Sequence, residues 1–99
     1  RGILTVLEKG VSGRIYNIGG KSERDNLTVV KRILSILGKS EHLISFVADR
    51  LGHDWRYAID NSRIATELEW EPRHTFETGL EQTVRWYLNN EDWWRPLQK

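Results

Sequence analysis

Apolar residues at positions 29, 30, 33, 34 and 37 recur at the spacing of one helix face, so residues 27–37 are expected to form an amphipathic helix. Gly38 stands where such a helix stops, and Asn26 where its N-cap belongs. Phe76, Leu80, Val84 and Leu88 repeat every fourth residue and predict a last helix that opens at Thr75, with Glu77 and Thr78 in its first turn. Residues 3–9 read as the end of a helix stopped by Gly10, and 62–68 as another, entered through Asp60-Asn61 and followed by Pro72. Runs of a different kind lie between. Residues 14–18 and 44–47 are rich in β-branched and aromatic side chains and read as strands, with a short extended piece at 57–59. Helical and strand-like segments therefore alternate. With no repeat, low-complexity tract or long linker, one small mixed α/β unit over residues 1–99 is expected.

Charge and composition remove several function classes. Fifteen basic side chains against fourteen acidic ones leave a formal charge of +1. The long-range field that gathers nucleic acid or an anionic membrane is missing, so neither is expected as a partner. No stretch reaches the ~18 apolar residues of a membrane span, and no basic-then-apolar leader opens the chain. The absence of cysteine rules out a disulfide framework and a thiolate metal site, and fits the cytoplasm. A chain of this length buries only a marginal core. It begins at Arg1 rather than Met, within what reads as a helix end, so a fragment of something longer is expected.

The candidate chemistry is concentrated between Val47 and Tyr57, directly after a predicted strand. Arg50 and Arg56 each offer a planar fork of donors to a phosphate or carboxylate, and Asp49 or Asp54 can orient those forks or accept from a sugar hydroxyl. His53 adds a donor, and Gly52 permits a tight turn. The same residues would equally make a surface ion-pair network around a turn, so the residue types alone leave both readings open. His42 and His74 have no partner at metal-ligand spacing and read as loop residues, and no metal site is expected. Glu67, Glu69 and Glu71 alternate around Trp70 and read as solvated helix-end charges rather than an acid–base pair. Trp93-Trp94 is too apolar to stand in water and is expected to dock on a neighbouring surface.

The segment Asp49-Arg50-Leu51-Gly52-His53-Asp54, with Arg56-Tyr57-Ala58-Ile59-Asp60 after it, resembles the carboxy-terminal signature of the dTDP-glucose 4,6-dehydratases. These are nucleotide-sugar enzymes of the extended short-chain dehydrogenase/reductase superfamily. Tyr16-Asn17-Ile18-Gly19-Gly20, Leu68-Glu69-Trp70-Glu71-Pro72, Thr75-Phe76-Glu77-Thr78-Gly79-Leu80 and Thr83-Val84-Arg85-Trp86-Tyr87-Leu88 fit the same pattern in the same order. The resemblance implies a small mixed α/β substrate-binding, C-terminal domain of such an enzyme, without its Rossmann domain. It further implies that Asn26, Asp49, Arg50, Leu51, Gly52 and His53 hold the diphosphate of a dTDP-sugar, with Arg50 giving the main charge-assisted bonds. Leu51 departs from the pattern, where proline is common, and so does Trp55, where arginine is common. The first change loosens the turn. Trp55 could stack on a ring, but covering the core or surface is the favoured expectation.

What the resemblance leaves out matters as much. Family members use NAD to take a hydride from C4 of the glucosyl ring and return it to C6 after water is lost across C5 and C6. Neither Gly10-Val11-Ser12-Gly13 nor Gly19-Gly20 has G-x-G-x-x-G spacing, so no cofactor is expected in this chain. No Tyr-x-x-x-Lys occurs either, since Gly20, Asn61 and Glu91 stand four residues after the three tyrosines. The chain is thus expected to bind a dTDP-sugar yet be inert alone, partnered by a Rossmann portion or by further copies of itself. The alternative is a stand-alone, non-enzymatic binding or self-association module.

Overall fold

In the computed structural model, which describes residues 1–98, the apolar stripes become helices. α1 spans Gly2–Lys9, α2 Asn26–Leu37, α3 Ser62–Leu68, α4 Phe76–Asn89 and α5 Glu91–Trp94, with 3-10 turns at Glu41–Leu43 and Arg95–Leu97. They belong to two compact units, each assembled from separate parts of the chain. One joins residues 1–23 to 52–75, and the other joins 24–51 to the segment from Phe76 onward.

The first unit is built where α1 meets α3. Ile64 and Leu68, four residues apart on α3, are buried with Trp70, and Val6 and Tyr16 pack against them. A side chain at Gly2 would crowd this region. A Cβ there would lie 3.0 Å from the Ile18 side chain and 3.3 Å from Cε2 of Trp70. Glu69, at the end of α3, takes the left-handed conformation (φ 52°) that lets the Trp70 N–H reach back to the Ile64 carbonyl and turns the indole inward. Gly10 stops α1 for a different reason: its φ is −66°, and a Cβ would run into the Val6 carbonyl that its own N–H bonds.

In the second unit α2 packs on α4. Asp25, not Asn26, is the N-cap. Its carboxylate accepts from the Thr28 N–H (2.8 Å) and the Thr28 hydroxyl (2.6 Å), and Asn26 becomes the first helical residue. A carboxylate one residue earlier out-competes the amide because it accepts two bonds at once and faces the positive helix end. Gly38 closes α2 at φ 62°, and the Lys39 N–H bonds the Leu34 carbonyl (2.9 Å). The predicted stripe on α4 is buried at Val84 but open at Leu88, and Val30 of α2 also stays exposed. The tryptophan pair docks within the chain: Trp94 Nε1 donates to the Tyr87 carbonyl (2.7 Å), and Trp93 sits edge-on to Trp86.

No strand forms among the described residues, so the mixed α/β expectation is met by its helices and not by its β part. Residues 14–18, 44–47 and 57–59 have the side chains of strands without a ladder. In the first unit, Gly19 lies against Ile59, where a Cβ would come within 3.2 Å. Side chains take carbonyls that a ladder would use: Asn61 Nδ2 donates to Gly19 O (3.2 Å) and Arg63 Nη1 to Ile15 O (3.0 Å). β propensity describes how side chains fit a pleated surface, and realising it needs a paired neighbour.

Candidate functional site

Glu41–Leu43 forms a 3-10 turn begun by Ser40, whose hydroxyl accepts from the His42 N–H, and the chain then runs into residues 49–53. Asp49, Arg50 and Leu51 belong to the second unit, as does Asn26, whereas Gly52 and His53 belong to the first. All six are solvent-exposed. The Asp49 carboxylate accepts from the Arg50 N–H (2.8 Å), folding the start of the segment on itself, and Gly52 turns it at φ 70°. Among the described residues no ion pair engages the Arg50 guanidinium, which faces water.

Arg56 is different. Its Nε and Nη2 form a bidentate pair with the two carboxylate oxygens of Glu23, the second contact at 2.9 Å. The bond to Arg56 lowers the pKa of Glu23, and the bond to Glu23 raises that of Arg56, so the fork is neutralised within the chain. Of the two arginines expected to offer an anion their donors, only Arg50 is available. Asp54 is likewise occupied, accepting from the Tyr57 hydroxyl; that bond raises the tyrosine pKa, because the phenol must keep its proton to donate.

Asn26 is freed by the capping role of Asp25, and its side-chain amide faces solvent at the first turn of α2. The helix dipole helps an incoming phosphate less than expected, since the Asp25 carboxylate already occupies the positive end and its pKa is lowered by the Thr28 bonds. Trp55 does not cover a core. It is fully exposed, and Leu51 is too.

Two of the three glutamates around Trp70, Glu67 and Glu71, are cross-links within the first unit, whereas Glu69 is the exposed helix-end charge the sequence led one to expect. Glu67 takes Arg14 (2.7 Å) and the Tyr16 hydroxyl (3.1 Å), and Glu71 takes Lys21 Nζ (2.9 Å). Each joins residues about fifty positions apart, a spacing with no local sequence signal. A cavity of about 380 Å³ lies between residues 19–23 and 57–59 of the same unit. Its polar side chains are already paired: Lys21 with Glu71, Ser22 with the Gly20 carbonyl, Glu23 with Arg56 and Tyr57 with Asp54.

Neither glycine pair forms a dinucleotide cradle. Gly13 (φ 81°) follows α1 and Gly19-Gly20 leads to Lys21 (φ 51°), and neither opens a helix after a strand. The described residues therefore do not fit an NAD pyrophosphate, which needs that strand–turn–helix geometry. Among the described residues no helix is long and apolar enough to cross a membrane.

No protein-family model matches the chain. Individual relatives do. The chain is 49% identical to a dTDP-glucose 4,6-dehydratase of Escherichia coli over 98% of its own length and 30% of the relative's. It is 51% identical to that of Mycolicibacterium smegmatis over 94% of the chain and 28% of the relative. Among solved structures, the dTDP-glucose 4,6-dehydratase of Bacillus anthracis, in complex with NAD, superposes with a TM-score of 0.91 at 49% identity, covering 98% of this chain and 30% of that one. The Streptomyces venezuelae dehydratase, with NAD and TYD bound, gives the same TM-score and coverage at 44% identity. The chain spans about 30% of the length of the curated relatives it matches. Matched along nearly all of its own length in sequence and in fold, it belongs to the dTDP-glucose 4,6-dehydratase family and corresponds to the C-terminal portion of such an enzyme.

Proposed function

We propose that this chain is the nucleotide-sugar-binding portion of a dTDP-glucose 4,6-dehydratase, gripping the diphosphate of a dTDP-sugar through Arg50. The supporting observation is the contrast between the two arginines: Arg56 is spent on Glu23, whereas Arg50 is solvent-facing beside a turn set by Asp49 and Gly52. Arg50 provides two parallel N–H donors to a phosphate, and the His53 side chain and the Asn26 amide add donors of their own. Asp49 positions rather than binds, since its carboxylate holds the Arg50 backbone and would repel phosphate. Leu51 contributes main chain only, and Gly52 lets the main chain come close to the ligand.

Chemistry on the sugar is assigned to parts of the family enzyme that these residues do not supply. The chain lacks the Tyr-x-x-x-Lys pair, and its geometry does not fit NAD, so by itself it binds without turnover. The partner that would restore activity is a Rossmann portion of the family type.

An NMR amide titration with dTDP tests this reading. Shifts centred on Asn26 and residues 49–53 are expected, and a dispersed spectrum unmoved by dTDP would overturn it. Arg50→Ala should weaken binding by ~1.5–3 kcal/mol, the range for hydrogen bonds to a charged group.

A further inference from the structure

The first turn of α2 carries a charge that works against the ligand proposed for it. Asp25 is exposed, and both oxygens of its carboxylate accept from Thr28, one from the main-chain N–H (2.8 Å) and one from the hydroxyl (2.6 Å). Those bonds leave its negative charge in place, and among the described residues no cation pairs with it. The preceding residue, Arg24, is held on α4 instead: its Nη2 lies 3.6 Å from the Glu77 carboxylate, and its guanidinium sits 5.1 Å over the Phe76 ring. The helix itself offers about +0.5 of a charge at this end, against the full negative charge of Asp25. The balance beside the Asn26 amide is therefore negative.

We propose, on the reading that Asn26 and Arg50 hold the diphosphate, that Asp25 is a specificity-determining residue that admits a nucleotide sugar and disfavours a free nucleoside diphosphate. Asp25, Asn26 and Arg50 all belong to the second unit. The two ligands differ in charge rather than in the donors they need. In dTDP-glucose each phosphate is a diester with one negative charge, whereas the terminal phosphate of dTDP is a monoester that carries about −1.5 to −2 at pH 7. The Asn26 amide and the Arg50 fork can donate to either ligand. A fixed carboxylate beside them repels both, and repels most the one with the extra charge. Specificity of this kind comes from a repulsive element set against the competitor, here the same nucleotide without its sugar.

Isothermal titration of the 99-residue chain with dTDP and with dTDP-glucose, at one low ionic strength, reads the ratio of the two affinities. Asp25→Asn and Asp25→Ser remove the charge, and both residues can still cap a helix. Each variant should bind dTDP about two- to fivefold more tightly, the range for one charge at a helix end, and should tighten dTDP-glucose by less. The ratio then moves toward dTDP, a change that a loosened helix would not give, since it weakens both ligands. An unmoved ratio overturns the proposal, and so does one that moves in only one of the two variants. A parent chain that binds neither ligand overturns the proposal together with the reading beneath it. Binding that is indifferent to Arg50→Ala, with a ratio that still moves at Asp25, supports the role of Asp25 and overturns the Arg50 assignment alone.

Discussion

Two arginines six positions apart illustrate how much a single contact decides. In the sequence Arg50 and Arg56 are equivalent donors near a glycine turn, but Glu23, more than thirty residues away, takes Arg56 out of contention. Arg56→Ala should therefore leave dTDP affinity within about twofold of the parent, whereas Arg50→Ala should lower it about tenfold or more. Isothermal titration of both variants checks this, and equal losses would return Arg56 to the site. Backbone conformation gives a second residue-scale pair. Gly38 and Glu69 share the left-handed conformation at helix ends, with φ of 62° and 52°. Gly38→Ala meets no neighbour, so its cost is conformational, about 1–2 kcal/mol, while Glu69→Gly should gain about 0.5–1 kcal/mol after the added chain entropy of glycine. Urea unfolding midpoints moving in opposite directions would bear this out.

At the scale of elements, caps and side-chain brackets matter more than propensity. The Asp25 pKa is lowered below its ordinary value of 3.8 by the Thr28 bonds, so the charged form is the one the folded helix prefers. Its contribution to α2 is present above pH 3.8 and is lost as the pH falls through the lower folded value. Amide protection at residues 29–33 should fall in that acid range, and Asp25→Asn should keep a cap while removing this part of the acid dependence. Asn61 is the buried polar counterpart in the first unit, 3% exposed and donating to the Gly19 carbonyl. Asn61→Ala should cost ~1–3 kcal/mol, seen as a lower urea midpoint, because that carbonyl loses its partner in a place water reaches poorly. Helices α2, α3 and α4 were legible to within a residue because each carries its own period and stop signal. The strand-like segments form no ladder among the described residues for the complementary reason: a strand is completed by a neighbour, and near residues 15–19 Arg63 and Asn61 donate to the Ile15 and Gly19 carbonyls instead.

For the molecule as a whole, stability rests on few side chains. Only Ile64, Leu68, Trp70 and Val84 are buried apolar residues among those described, and Ile64 alone is fully enclosed. Ile64→Ala should cost ~2–5 kcal/mol, a large share of the ~5–15 kcal/mol of an ordinary domain, and the variant should lose its urea baseline near room temperature. By itself the sequence determined the family, the positions of the helices and the segment carrying the candidate phosphate contacts, because these depend on local order: period, stop residues and contiguous motif. Only the tertiary structure decided that Arg56 is occupied and that Glu67 and Glu71 are cross-links. Those outcomes depend on which distant residues meet, and pairs about thirty to fifty positions apart carry no local pattern from which their meeting could be read.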